Sequence, residues 1–197
     1  GGLFGGGILK FSNKISDNMY STLGFELVNI KHPKESKYSS AIGYGRTFIW
    51  GKKNYLFSLR GQYGREMILF SKKDEQGIRI NAQLAAGPSI GLQVPYYLKY
   101  SRNNRMEIEN FDPNTQTFNN VIGSASFFEG LGELKIKPGI NIKAAINFEF
   151  SPSKSATALE VGFLGDFYPG GVNIMPTARE YSFYPTAFIT LFYGRKY

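Results

Sequence analysis

The one histidine of the chain, His32, stands in Lys31-His32-Pro33-Lys34-Glu35. Imidazole is the side chain whose ordinary titration falls near neutral pH, so His32 is the natural candidate for a general base. A lipid-modifying hydrolase would set it beside a serine nucleophile. The nearest serine downstream is Ser36, which makes a poor pair, and a nucleophile elbow is not expected. His32 reads as a polar turn residue, and no catalytic residue is assigned. Asp112-Pro113-Asn114 carries oxygen ligands of a kind that calcium takes, but without the spacing and closing Glu of an EF-hand it reads as a turn. Gly1–Gly7 lacks a Gly-Lys-Ser/Thr and is no phosphate loop. With no cysteine there is no Cys-based zinc site and no disulfide frame. The expectation is a protein without metal or cofactor.

What remains is a set of charges. Lys10, Glu26, Arg60, Glu66, Arg79, Lys143, Glu149, Glu160 and Asp166 each fall within an apolar stretch, on the face opposite its apolar residues. Alternation of period two places them there. Over Ile78–Val94 one face reads Ile78, Ile80, Ala82, Leu84, Ala86, Pro88, Ile90, Leu92 and Val94; the other carries Arg79, Asn81, Gln83, Gln93 and small residues. A soluble strand averages about five or six residues, far short of this. Ile140, Ile142, Ile146 and Phe148 oppose Asn141, Lys143 and Glu149, and Leu159, Val161 and Phe163 oppose Glu160 and Asp166. Ile189 and Leu191 share a face in the last stretch.

Eight strands are expected: Leu3–Ser12, Met19–Ile30, Ala41–Trp50, Tyr55–Phe70, Ile78–Val94, Gly139–Ser151, Thr157–Phe167 and Phe183–Tyr197. The fold class is all-β, an eight-stranded antiparallel up-and-down transmembrane barrel in one domain, 1–197, with a long loop, 95–138, between strands five and six. A short helical turn is allowed around Ser124–Glu133. Outer loops would be Asn13–Asn18, Gly51–Asn54, Pro95–Pro138 and Pro169–Tyr181; inner turns would be Lys31–Ser40, Ser71–Gly77 and Ser151–Ser155. Ile78, Ile80, Leu84, Ile90, Leu92, Ile140, Ile142, Ile146, Phe148, Leu159, Val161, Phe163, Ile189 and Leu191 would face lipid. An interior this narrow is filled by side chains, so the nine charges should pair as a plug rather than form an ion path.

Composition agrees with strands and tight turns: 16% aromatic residues and 23 glycines. No apolar run is long enough for a transmembrane helix, and no signal peptide is visible. Gly1–Gly7 reads as the inside of a strand already under way, as in a processed or trimmed chain. The net charge of +8 is scattered in short clusters such as Lys52-Lys53 and Lys72-Lys73 between apolar strands. That placement suits lipid headgroups, and nucleic-acid binding is not expected. Trp50, Tyr96, Tyr97, Tyr193 and Tyr197 stand near strand ends, where amphipathic rings form the girdles of a barrel. Gly43-Tyr44-Gly45 reads as close packing or curvature.

The alternating, aromatic-ended Phe188–Tyr197 resembles the terminal strand of bacterial outer-membrane barrels, the signal read by the barrel assembly machinery. Val28–Glu35, Gly87–Leu92 with Pro95–Leu98, and Phe127–Leu131 leading to Pro138-Gly139 resemble small outer-membrane barrels of Bacteroidota bacteria. That resemblance implies an outer-membrane location and transfers no catalytic residue. The function expected is non-enzymatic: a structural or accessory subunit of an outer-membrane assembly, secretion or transport complex. Its partners would be outer-membrane lipids and other outer-membrane protein subunits. The alternatives are a lipid-modifying barrel enzyme using His32 and a soluble, lipocalin-like ligand-binding barrel, whose two faces would have the opposite polarity.

Overall fold

The computed structural model describes residues 5–42, 46–71, 78–102, 105–150, 155–176 and 181–195. The chain is all-β. Its strands are β1 (Gly6–Ser16), β2 (Met19–Ile30), β3 (Lys37–Ser39), β4 (Thr47–Ile49), β5 (Asn54–Ser71), β6 (Arg79–Pro95), β7 (Tyr97–Arg102), β8 (Arg105–Asn110), β9 (Val121–Ser124), β10 (Lys135–Phe150), β11 (Ser155–Val172) and β12 (Tyr181–Arg195). Seven of them form one antiparallel sheet in the order β1-β2-β5-β6-β10-β11-β12. The register keeps one face for charge: Glu26 lies opposite Arg60, Asn147 opposite both Asn81 and Glu160, and Arg79 opposite Glu149. Because side chains alternate across a strand, each such pairing commits its neighbours to the other face.

The sheet curls on itself. Lys10 of β1 reaches Glu160 of β11 at 3.2 Å, although four strands separate β1 from β11 in the sheet order. Among the described residues, strands β1 and β12 are the two edges and do not hydrogen-bond to each other.

The expected strand Ala41–Trp50 is not part of this sheet. Only Thr47–Ile49 is extended there, paired with Lys37–Ser39 in a separate small hairpin; Gly43, Tyr44 and Gly45 lie outside the described residues. Three or four alternating residues suit a short hairpin as well as a long strand, so pattern alone could not choose. The large sheet therefore has seven strands where eight were expected. Its first strand is Gly6–Ser16 rather than Leu3–Ser12, with Leu3 and Phe4 outside the described residues.

Losing that strand re-sorts the connections. The short steps in sequence, from β1 to β2, β5 to β6 and β10 to β11, leave strand ends at one end of the sheet; the long ones, from β2 to β5, β6 to β10 and β11 to β12, leave strand ends at the other. The expected inner turn Lys31–Ser40 thus belongs to the long-connection end, together with the large connection. That connection follows the fourth strand of the sheet, not the fifth, and it is structured. It carries β7, β8 and β9 as a three-stranded sheet and two 3₁₀ turns, Phe118–Asn120 and Phe127–Glu133. Its last residues, Lys135–Pro138, pair with Gln93–Ile90 as the start of β10.

Two apolar clusters occupy the long-connection end. Ile30, Leu56, Tyr168, Val172, Ile174, Met175 and Tyr184 close the mouth of the curled sheet from within. Phe48, Tyr96, Leu98, Tyr100, Phe111 and Val121 form the core of a platform built from β3–β4 and β7–β9.

Candidate functional site

The inner face of the sheet is a chain of ion pairs. Lys10 bridges Glu66 at 2.8 Å and Glu160 at 3.2 Å, and it donates to Gln83 at 2.8 Å. Lys143 approaches the other oxygen of Glu160. Arg60 donates Nε to Asp166 Oδ1 at 3.0 Å and Nη2 to Oδ2 in a forked pair, and Nη1 approaches Glu26 at 3.3 Å. Arg79 and Glu149 meet at 3.5 Å nearer the short-turn end. All nine residues singled out by alternation lie on this face, and each has an oppositely charged partner there. Glu160 and Asp166 are fully buried.

Neutral groups complete the set. Asn81 donates to Glu66 at 2.7 Å, Gln62 to Glu26 at 3.2 Å, and Ser89 to Asp166 at 3.1 Å. Buried charge costs several kcal/mol per ion unless it is paired and its remaining hydrogen-bonding capacity is used; Arg60, Glu66 and Asp166 approach that condition, whereas Arg79 Nε and the Asn147 side-chain oxygen are buried without a hydrogen-bond partner. Tyr168 closes the network toward the mouth, donating to Ser58 at 2.7 Å. Its ring fits because Gly91 and Gly139 lie beneath it: a Cβ on either would stand 2.9 Å or less from ring atoms. Both glycines fall within the stretches that carry the resemblance to small outer-membrane barrels.

The outer face is the reverse. Leu84, Phe163 and Ile189 are 67%, 73% and 75% exposed. Ile78, Ile90, Ile140, Ile142, Ile146, Val161 and Leu191 are exposed too, while Ile80, Leu92, Phe148 and Leu159 are half-buried on the same face. In water the most exposed of these residues would forfeit up to roughly 1.5–3 kcal/mol of burial each.

The aromatic residues divide. Tyr193 is exposed on β12, and Tyr197 lies outside the described residues. Trp50 and Tyr96 do not face outward as girdle residues. Trp50 stacks edge-on against Phe111 and Phe118 at 4.9 and 5.4 Å. Tyr96 is 2% exposed, packed on Tyr55 at 5.1 Å, with its hydroxyl accepting from the Ile49 amide at 3.0 Å. Tyr97 is half-buried and donates to Glu133 at 2.7 Å. A strand end that leads into a folded platform gives its rings a protein neighbour instead of a headgroup.

Lys52, read as half of a headgroup cluster, is buried as well. It pairs with Glu35 at 2.8 Å and sits over the Tyr55 ring at 4.5 Å. Burial pushes its ammonium below the usual lysine range, against the opposing pull of Glu35.

His32 shares this end. Its Nδ1 accepts from the Lys34 amide at 3.2 Å, its ring packs on Tyr181 at 5.8 Å, and burial holds its pKa below the ordinary value. Neither contact is with a serine hydroxyl, and Nε2 is buried without a hydrogen-bond partner. The expectation of no nucleophile elbow overlooked Gly87-Pro88-Ser89-Ile90-Gly91, which has the Gly-x-Ser-x-Gly spacing. It lies within β6 rather than at a strand-to-helix turn, and Ser89 is spent on Asp166 and Asn141. Among the described residues no cluster of His, Cys, Asp or Glu is arranged to hold a metal ion. The chain matches no family model, no curated protein and no solved structure.

Proposed function

We propose that the chain is a transmembrane β-barrel of a Gram-negative, Bacteroidota-type outer membrane, serving as a non-enzymatic structural or accessory subunit beside larger outer-membrane proteins. The observation that carries the membrane reading is the polarity of the curled sheet: charge inside, apolar side chains outside. That is the arrangement a bilayer rewards and water penalises. It is also the reverse of a lipocalin-like calyx, whose apolar face must point inward to hold a ligand.

The accessory role is supported by the platform. It gathers the folded parts of two long connections at one end of the sheet, and Met106, Ile108 and Phe128 are exposed on it. Ion pairs that cross the interior from Lys10 to Glu160 and from Arg60 to Asp166 obstruct it, which suits a role in contacts better than a role in conduction.

The test is extraction of the native protein, mild-detergent affinity purification and mass spectrometry of its companions. Detergent dependence and stoichiometric co-purification of larger outer-membrane proteins are expected. Replacing residues 97–134 with a short linker should remove those companions while the barrel persists. Solubility without detergent would overturn the membrane reading. A lone barrel, indifferent to the loop deletion, would overturn the accessory one. Activity on lipid substrates that is lost in His32→Ala would revive the enzymatic alternative.

A further inference from the structure

Six antiparallel pairings link the seven strands of the sheet, so its first and last strands run in the same direction. Curling brings these two edges toward each other: Lys10 of β1 stands 5.4 Å from the centre of the Phe192 ring of β12. Two parallel edges cannot continue an antiparallel ladder. Between them lies a cleft of about 1200 Å³, lined by Gly5–Ile8 on one side and by Tyr181 and residues 183–191 on the other, and reaching inward to Glu26, Arg60, Leu164 and residues 28–34.

We propose that this seam holds an eighth strand, antiparallel to both β1 and β12, supplied by the polypeptide on the N-terminal side of Gly1. One strand of opposite direction restores an even count and pairs both free edges at once. The seam also states what the strand must look like. Toward the outside it lies between Leu9 and Phe11 on β1 and Ile189 and Leu191 on β12, all exposed, so its outward residues are apolar. Toward the inside it lies between Ile8 and Lys10 on β1 and the half-buried Thr186, Phe188, Thr190 and Phe192 on β12, so its inward residues meet a mixed face of rings, hydroxyls and one ammonium. Its length is about 9–11 residues, what a tilted strand needs to cross a bilayer.

A second copy cannot supply this strand. Every copy inserted with the same orientation offers only edges of the same direction as those already present. Supply within one polypeptide rests on the membrane reading proposed above: in hydrocarbon each unsatisfied backbone group costs several kcal/mol, so the edges must be paired as the chain inserts. The entry side follows from β1. Gly5, Gly6 and Gly7, the first described residues of this edge, line the cleft and carry no side chain to obstruct a neighbouring backbone. A strand that precedes β1 joins it at that end of the cleft.

These 197 residues hold no cysteine, and any cysteine elsewhere in the gene product would be replaced by serine, so that single cysteines report without background. Gly7→Cys and, separately, Ala187→Cys would be introduced into the natural full-length gene product and assembled in its own membrane. Each would be labelled with a benzophenone maleimide, irradiated and mapped by mass spectrometry. The expected result is that both positions cross-link to one peptide, located before Gly1. Cross-links joining β1 directly to β12, to a peptide after Tyr197, to another protein, or to lipid alone would each overturn the proposal. Leu9→Cys and Ile189→Cys repeat the reading should either first variant fail to assemble. Solubility without detergent would sink the membrane reading yet leave the cross-link pattern interpretable, so the two ideas fail separately.

Discussion

The interior of the curled sheet and the platform at its mouth are held by different forces. Inside, order depends on a few directional contacts among charges, with Arg60 tied to two carboxylates and Lys10 to two more. In the platform it depends on many weak ring contacts: Phe118 alone meets Tyr38, Phe48 and Trp50 at 5.3, 5.3 and 5.4 Å. Loss of one charge strands its partner in a place that cannot solvate it. Loss of one ring leaves neighbours that can shift. The interior should be brittle and the platform forgiving.

The sharpest way to break that contrast is Arg60→Met, which leaves Asp166 and Glu26 without their cation. A loss of about 3–5 kcal/mol is expected in denaturant unfolding of the detergent-solubilised protein. Combining it with Asp166→Asn should return a large part of that loss, and no recovery would mean that the pair is not the source of the brittleness. Next comes Leu84→Arg on the outer face. If that face meets hydrocarbon, the cost is about 2–4 kcal/mol near mid-membrane, read by refolding into bilayers. A cost near zero would place the face in water. Phe118→Ala should be milder and local. Amide exchange in Lys37–Ser39 and Thr47–Ile49 should speed up about tenfold, on the scale of ring contacts worth about 0.5–1.5 kcal/mol each. Exchange in β6 and β10 should not change.

The smallest effect concerns pH. His32 has a folded pKa below its unfolded value of about 6.5. The unfolded chain therefore takes up the proton first as pH falls, and the stability His32 contributes is present above 6.5 and lost below it. The connection around Lys31–Glu35 should loosen between pH 7.5 and 5 by local amide exchange. His32→Gln should flatten that response, and an unchanged response would assign it to another group.

Much of this contrast could be read from residue order. Alternation across Arg79–Pro95 and Lys135–Phe150 fixes which side chains share a face, and the nine inner charges follow from it without any knowledge of partners. Partners are another matter. Nothing in the spacing says that Lys10 meets Glu160, since that depends on how far the sheet curls. Thr47–Ile49 shows the other limit: its alternation is real, but period two names a face and not a sheet. Trp50, Lys52 and Tyr96 went astray for a related reason. Rings and cations next to strand ends look alike whether a membrane surface or a folded connection covers them, and the platform's cover comes from residues as distant as Phe111 and Phe118.

The sorting of connections into a short end and a long end has a kinetic consequence. Strands β1–β2, β5–β6 and β10–β11 are hairpins closed by nearby residues, cheap in loop entropy and able to form early. The pairings β2–β5 and β6–β10 must wait for long connections to close. Lys143 meets Glu160 within the β10–β11 hairpin, but the ion pairs of Lys10 and Arg60 run between hairpins: Lys10 with Glu66 and Glu160, Arg60 with Glu26 and Asp166. These charges meet only when the hairpins have already docked. Their removal should then leave the rate of assembly nearly untouched and quicken disassembly, so the network acts as a latch on the finished barrel rather than a guide to building it.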